Sequence, residues 1–176
     1  MANREALREL QARLATRLQA AKAEGLSISW LAVRCGGTNY LLPLAQSGQI
    51  FPVPHVQGVP YAQPWFMGVG NLQGGLFGLV DFAAFIKGGP VSARSEQVLT
   101  QARVVTLNAA LEINCALLVD ELAGLRQLNA FTGSEPPPVG ALACFGNRYA
   151  DAQGEYWQEV NLQSLSKMPE FLSVSA

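Results

Sequence analysis

Near the N-terminal end of the chain, leucine recurs at steps of three and four residues: Leu7, Leu10, Leu14 and Leu18, followed by Ala21. That spacing lays one apolar stripe along a helix and predicts an amphipathic helix over residues 3–24. Asn3 is the expected N-cap and Gly25 the expected stop. Five basic residues (Arg4, Arg8, Arg13, Arg17, Lys22) stand against three acidic ones (Glu5, Glu9, Glu24) on this segment. The stripe has two possible covers, the rest of the chain or a partner, and it is too short to argue for a coiled coil.

From Ile28 the period changes. Ile28 to Cys35 reads as a strand, Gly36-Gly37 as a tight turn and Tyr40 to Leu44 as the returning strand, which together make a hairpin. Residues 51–64 read as a Pro-rich loop, and Leu76 to Val80 as a buried strand. Phe82 to Lys87 suits one short helical turn, stopped by Gly88-Gly89-Pro90. Beyond this break, strands are expected at 102–107, 111–119, 124–128, 141–149 and 155–160. Residues 132–140 form an expected loop, residues 151–154 a turn, and Leu162 to Lys167 a closing short helix. Short strands with turn signals every 8 to 12 residues argue for small all-β barrels over a parallel sheet.

Composition sharpens this picture. Of 176 residues, 49% are apolar, enough to support a folded core, and only 14% are charged. From Cys35 through Val80 there is no Asp, Glu, Lys or Arg at all. Gly and Pro interrupt that stretch too often for a membrane-spanning helix, so no direct membrane insertion is expected. The first residues lead into a charged segment and do not resemble a secretory signal. A net charge of −1 offers no footprint for nucleic acid.

Candidate chemistry is sparse. Cys35, Cys115 and Cys144 are far apart and form no Cys-x-x-Cys pair, so they read as small buried residues in a reducing compartment. His55 is the only histidine and reads as a surface-loop residue; a catalytic pair or a metal site would need partners that the spacing does not supply. Asp81 lies between two apolar runs. Asp120 and Glu121 are neighbours, which on a strand point to opposite faces, so they read as exposed strand-end charges. No cofactor or metal is expected. The glycines between Gly68 and Gly75 lack the Lys-Ser/Thr of a phosphate loop, and read as permitting a tight turn and close backbone approach.

That glycine cluster carries a resemblance. Pro64-Trp65-Phe66-Met67-Gly68-Val69-Gly70-Asn71-Leu72-Gln73-Gly74, followed by Leu76 to Val80 and Asp81-Phe82, resembles the CheW-like adaptor family. The family pattern there is a Pro, then Gly-Val-x-Asn-Leu-Arg-Gly, then an apolar strand ending Val-Asp-Leu. Ala116 to Leu125 resembles the family's second motif, an apolar strand ending Val-Asp-Glu-Val and then Gly. The match spans about residues 27–167. The N-terminal helix and Pro64-Trp65 resemble the branch that serves type IV pilus twitching motility.

The resemblance implies an all-β fold of two small five-stranded SH3-like barrels sharing an apolar seam, with the N-terminal helix and a short C-terminal helix attached. Its expected divisions are a helix at 1–25, a first barrel at 26–90 and a second at 91–176. It implies a cytoplasmic, non-enzymatic adaptor bridging the cytoplasmic tip of a methyl-accepting chemoreceptor to the regulatory domain of a CheA-type histidine kinase. The alternative is a domain that pairs with itself or with pilus machinery and meets no kinase. The residues expected to bind partners are Asn71, Gln73 and Gly74, with Gln49 nearby. Gln73 stands where the family usually has Arg, Gln49 where it usually has Glu, and Gly78 where Pro is frequent. These departures imply a divergent partner set or a reliance on apolar contact.

Overall fold

The computed structural model describes residues 2–23, 28–91 and 93–176, with the side chains of 3–16 in the first segment. Helix α1 spans Ala2–Ala23. It begins before Asn3, so that residue lies in the first turn instead of capping it; the expected stop at Gly25 lies outside the described residues. All described side chains of α1 are exposed, so they are not packed on the rest of the chain.

Eleven strands follow: β1 Ser29–Cys35, β2 Thr38–Pro43, β3 Ser47–Pro52, β4 Phe66–Leu72, β5 Gly75–Asp81, β6 Arg103–Leu107, β7 Cys115–Val119, β8 Glu121–Gln127, β9 Phe131–Glu135, β10 Phe145–Asp151 and β11 Tyr156–Val160. Short helices intervene: α2 Phe82–Lys87, α3 Glu96–Gln101, α4 Leu162–Leu165 and α5 Pro169–Leu172. The strands form a five-stranded sheet, β3-β6-β7-β5-β4, and a six-stranded sheet, β8-β1-β2-β11-β10-β9. The second sheet therefore has one strand more than expected.

The sheets do not divide at residue 90. The β1–β2 hairpin belongs with β8 to β11, and everything from β3 to β7 makes the other sheet. The chain starts in the six-stranded sheet, builds the five-stranded one and returns. The return takes a single residue, Asp120, between β7 and β8. A break rich in Gly and Pro marks the end of α2, not the border of a barrel.

Alternation along the strands explains the core. In β1, Trp30 and Ala32 face a cluster with Leu41 and Trp157 inside the six-stranded sheet, while Leu31, Val33 and Cys35 face the seam between sheets. In β7, Ala116 and Leu118 pack inside the five-stranded sheet with Leu72, Leu79 and Val104, and Cys115, Leu117 and Val119 face the seam. Strands buried on both faces read as unbroken apolar runs. Helix α2 adds Phe82 and Phe85 to the seam, and α5 adds Phe171, which stacks on Trp65 at 6.1 Å.

A polar cluster ties the crossing points together. Arg94 donates from Nη1 and Nη2 to the Asp81 carboxylate, at 2.6 and 3.1 Å, and from Nε to Asp120. Asp81 also caps α2 by accepting from the Ala84 N–H at 3.2 Å. The second oxygen of Asp120 accepts from the Gly36 N–H, at the tip of the β1–β2 hairpin, at 2.9 Å. Its own N–H donates to the Arg34 carbonyl at 2.9 Å. The expected exposed strand-end charge at Asp120 is thus a half-buried ion pair. Strand alternation separates Asp120 from Glu121, but its partner arrives from a loop distant in sequence.

Removing one member of a buried ion pair strands the other charge and typically costs about 3–5 kcal/mol. Arg94→Met is expected to lower the unfolding free energy by about that amount, measured by urea denaturation. A change below about 1 kcal/mol, the value typical of exposed pairs, would show that solvent screens the cluster.

Candidate functional site: a neutral groove on the five-stranded sheet

Strands β3 and β4 are the two edges of the five-stranded sheet. The chain continuing from β3 reaches β4 at Gln57, whose N–H donates to the Val69 carbonyl at 2.8 Å and whose carbonyl accepts from the Val69 N–H at 2.9 Å. This pair of bonds closes the sheet on itself. Closure requires a glycine at position 68. Its φ is +136°, and an added Cβ would sit inside the contact distance of the Gln57 carbonyl. The expected close backbone approach in the glycine cluster is therefore located here.

The β4–β5 hairpin turns through Gln73 and Gly74, with Leu72 opposite Gly75. Both turn residues are left-handed, with φ of +50° and +84°. That pattern is a type I′ turn, which Asn-Gly suits best. Asn71 sits two positions before Gln73 and secures the turn by accepting from the Gly74 N–H at 2.9 Å. Gln73 itself is exposed, and a non-glycine residue other than Asn or Asp costs about 1–2 kcal/mol in this conformation.

Gln49 lies on β3 where the register against β6 shifts between Ser47 and Ile50. The Thr106 hydroxyl fills the gap: it accepts from the Gln49 N–H at 2.8 Å and donates to the Gln49 carbonyl at 3.3 Å. Such bulges re-aim a side chain outward, and Gln49 is exposed.

Closure brings Gln49 and Gln73 to one groove of 400 Å³. Phe51, Leu72, Phe77 and Ile113 supply its apolar lining, and Thr106 and Asn114 add polar groups. No lining residue is charged. Among the expected binding residues, Gln49 and Gln73 line this groove; Asn71 and Gly74 shape the turn that carries Gln73. Phe51, Phe77 and Thr106 were not anticipated, because only sheet closure places them together.

The residues considered for chemistry lie elsewhere. His55 is exposed in its loop. Cys35, Cys115 and Cys144 are buried. Burial pushes the Cys35 thiol from its ordinary 9.0 to about 12, with Asp120 and Asp81 adding to the rise. Burial alone pushes Cys115 to about 12, and it brings Cys144 to about 11. All three therefore stay protonated near neutral pH, and a protonated thiol is a poor nucleophile. Among the described residues, no group of three or more His, Cys, Asp and Glu side chains is placed to hold a metal ion, and no helix is long and apolar enough to cross a membrane.

The model of the CheW-like domain matches residues 29–168. Protein PilI of Pseudomonas aeruginosa is 30% identical over 135 residues, which cover 76% of this chain and 72% of that protein. The crystal structure of the scaffolding protein TtCheW from Thermoanaerobacter tengcongensis superposes with a TM-score of 0.62 at 15% identity, covering 76% of this chain and 88% of the other. At that identity the superposition speaks for the fold.

Gln73→Asn relieves the left-handed strain and is expected to raise stability by up to about 1 kcal/mol, whereas Gly68→Ala lowers it by more than that, both read from denaturant midpoints. Above pH 9 the unfolded thiols ionise while the folded ones hold their protons. The unfolded state then binds fewer protons, so stability falls as pH rises toward 12, by up to about 1.4 kcal/mol per pH unit for each thiol. Replacing Cys115 and Cys144 with Ala is expected to flatten that alkaline slope in a pH series of denaturation curves.

Proposed function

The chain belongs to the CheW-like domain family, and within it we propose a non-enzymatic adaptor for chemosensory signalling that controls type IV pilus twitching. In this reading it works in the cytoplasm and bridges a methyl-accepting chemoreceptor tip to the regulatory domain of a CheA-type histidine kinase. Likeness to PilI over most of both chains supports the pilus branch.

The observation that carries the proposal is the uncharged groove with Gln49 and Gln73 on one face. A concave surface lined by aromatic and aliphatic side chains, with a few polar groups to fix orientation, is suited to seating a partner's helix or loop. Gln73 is held there at a conformational cost that the turn itself does not need, which is the kind of outlier that marks a functional position. Asn71 and Gly74 serve by fixing the tip. The groove takes the receptor tip and a separate surface takes the kinase. Joining both on one rigid body raises their effective concentration for each other, which is how an adaptor without chemistry changes kinase output.

Neutral Gln at the usual Arg and Glu positions shifts recognition from charge steering toward apolar fit. Binding is therefore expected to depend weakly on ionic strength.

The test is equilibrium binding of the purified chain to candidate receptor-tip fragments and kinase regulatory domains. Gln73→Glu and Gln73→Arg are expected to change receptor-tip affinity by about tenfold with the thermal midpoint almost unmoved. A midpoint drop of many degrees would show that Gln73 is structural. No binding to any kinase regulatory domain would sink the bridging role.

A further inference from the structure

We propose that Thr106 is a positioning residue of the neutral groove: its hydroxyl fixes the irregularity in β3 that presents Gln49 to a partner. The proposal rests on the reading of that groove as the partner site.

The register of β3 against β6 passes from Ser47 opposite Leu107 to Ile50 opposite Val105. Gly48 and Gln49 therefore stand against Thr106 alone, the two-against-one count of a β-bulge. In a regular strand Gln49 would share the face of Ser47, two residues earlier. Ser47 is buried, and its hydroxyl donates to the Pro43 carbonyl at 2.9 Å. The extra residue instead leaves Gln49 exposed at the groove. One hydroxyl holds it there, accepting from the Gln49 N–H at 2.8 Å and donating to the Gln49 carbonyl at 3.3 Å.

Position 106 otherwise suits valine. Val104, Val105 and Leu107 surround it on β6, all buried, and Thr106 itself is 5% accessible. Valine has the same branched shape and brings no hydroxyl to desolvate. A buried hydroxyl is favoured only through the bonds it makes, and here both go to the backbone of Gln49. Gly48 is the counterpart on β3. A Cβ there would lie 2.3 Å from the Thr106 hydroxyl oxygen and 2.9 Å from the Leu107 carbonyl oxygen. Only glycine lets the strand come this close.

Both glutamines of the groove are thus aimed by a neighbour, Gln73 through Asn71 and Gln49 through Thr106. Being buried, Thr106 acts through Gln49. A Gln49 released from the bulge is presented only part of the time, and the apparent affinity falls by the fraction presented.

Thr106→Val keeps the shape and removes the hydroxyl, whereas Thr106→Ser keeps the hydroxyl. In hydrogen exchange the Gln49 amide is expected to exchange about tenfold faster in Thr106→Val and at an unaltered rate in Thr106→Ser. An unaltered rate in Thr106→Val overturns the proposal, with or without a partner. Binding is then measured with a fragment of a methyl-accepting chemoreceptor tip, in a double-mutant cycle with Gln49→Ala. Thr106→Val is expected to weaken binding about tenfold where Gln49 is present and by less than about twofold where it is Ala. Thr106→Ser is expected to bind within about twofold of the unaltered chain. An equal loss in both backgrounds overturns the proposal, because Thr106 then shapes the groove as a whole. So does a Thr106→Val chain that binds as tightly as the unaltered one. If Thr106→Val does not fold, Thr106→Ala carries the same cycle. If the unaltered chain binds no tip fragment, the receptor reading of the groove fails, and the exchange rates alone decide whether Thr106 fixes Gln49.

Discussion

Arg94 reaches into the molecule from a loop between two short helices and holds two carboxylates at once. One of them, Asp81, ends β5 and starts α2; the other, Asp120, is the single residue by which the chain passes from one sheet to the other. Gly36 adds the tip of the first hairpin to the same cluster. With its Arg94 side chain only 9% accessible and that of Asp81 1%, this is a charge cluster taken out of water, where a missing partner is costly. Ion pairing, first with Asp81 and then with Asp120, raises the Arg94 pKa against the opposing effect of burial. The cluster gives the two sheets one orientation. The proposed adaptor role, with two partners on different surfaces, would depend on that orientation.

The neutral stretch from Cys35 to Val80 has two physical origins. Strands β2 and β5 contribute to the seam and to a sheet interior, and strands buried on both faces have no place for unpaired charges. Gly48, Gln49, Phe51, Leu72, Gln73, Gly75 and Phe77 of the same stretch line a groove that is open to solvent, where charge would be permitted and is absent. Gly68 links the two: it lets Gln57 close the sheet, and the closed sheet gathers Gln49, Phe51, Gln73 and Phe77.

Much of this was legible in the residue pattern. The first hairpin and α2 at Phe82–Lys87 were readable because apolar runs there end in Gly or Pro signals, and the strand from Arg103 because Val104-Val105-Thr106-Leu107 is a β-branched, apolar run ending at Asn108. Strand β9 was hidden: Thr132-Gly133-Ser134 reads as turn, yet an exposed edge strand needs no apolar alternation. Strand β4 was masked by its own glycines, and α3 by its shortness, although Ser95 caps it at Val98. The expected strand from Leu111 starts only at Cys115, because Glu112 adopts a left-handed backbone. Asn71, Gln73 and Gly74 were singled out by motif alone, and Gln49 because it stands where the family usually has Glu; that Gln49 and Gln73 share a groove is a consequence of closure, which no local pattern encodes. Arg94 went unnoticed because its partners lie 13 and 26 residues away.

In the proposed role, a receptor tip binds in the neutral groove, on a body whose sheets are held in one orientation. Amide chemical shifts of the labelled chain, followed during titration with a receptor-tip fragment, test it directly. Shifts are expected to concentrate at Gln49, Ile50, Phe51, Gln73, Gly74 and Phe77, leaving β9 and β10 unmoved. Shifts confined to the six-stranded sheet, with the groove silent, would contradict it.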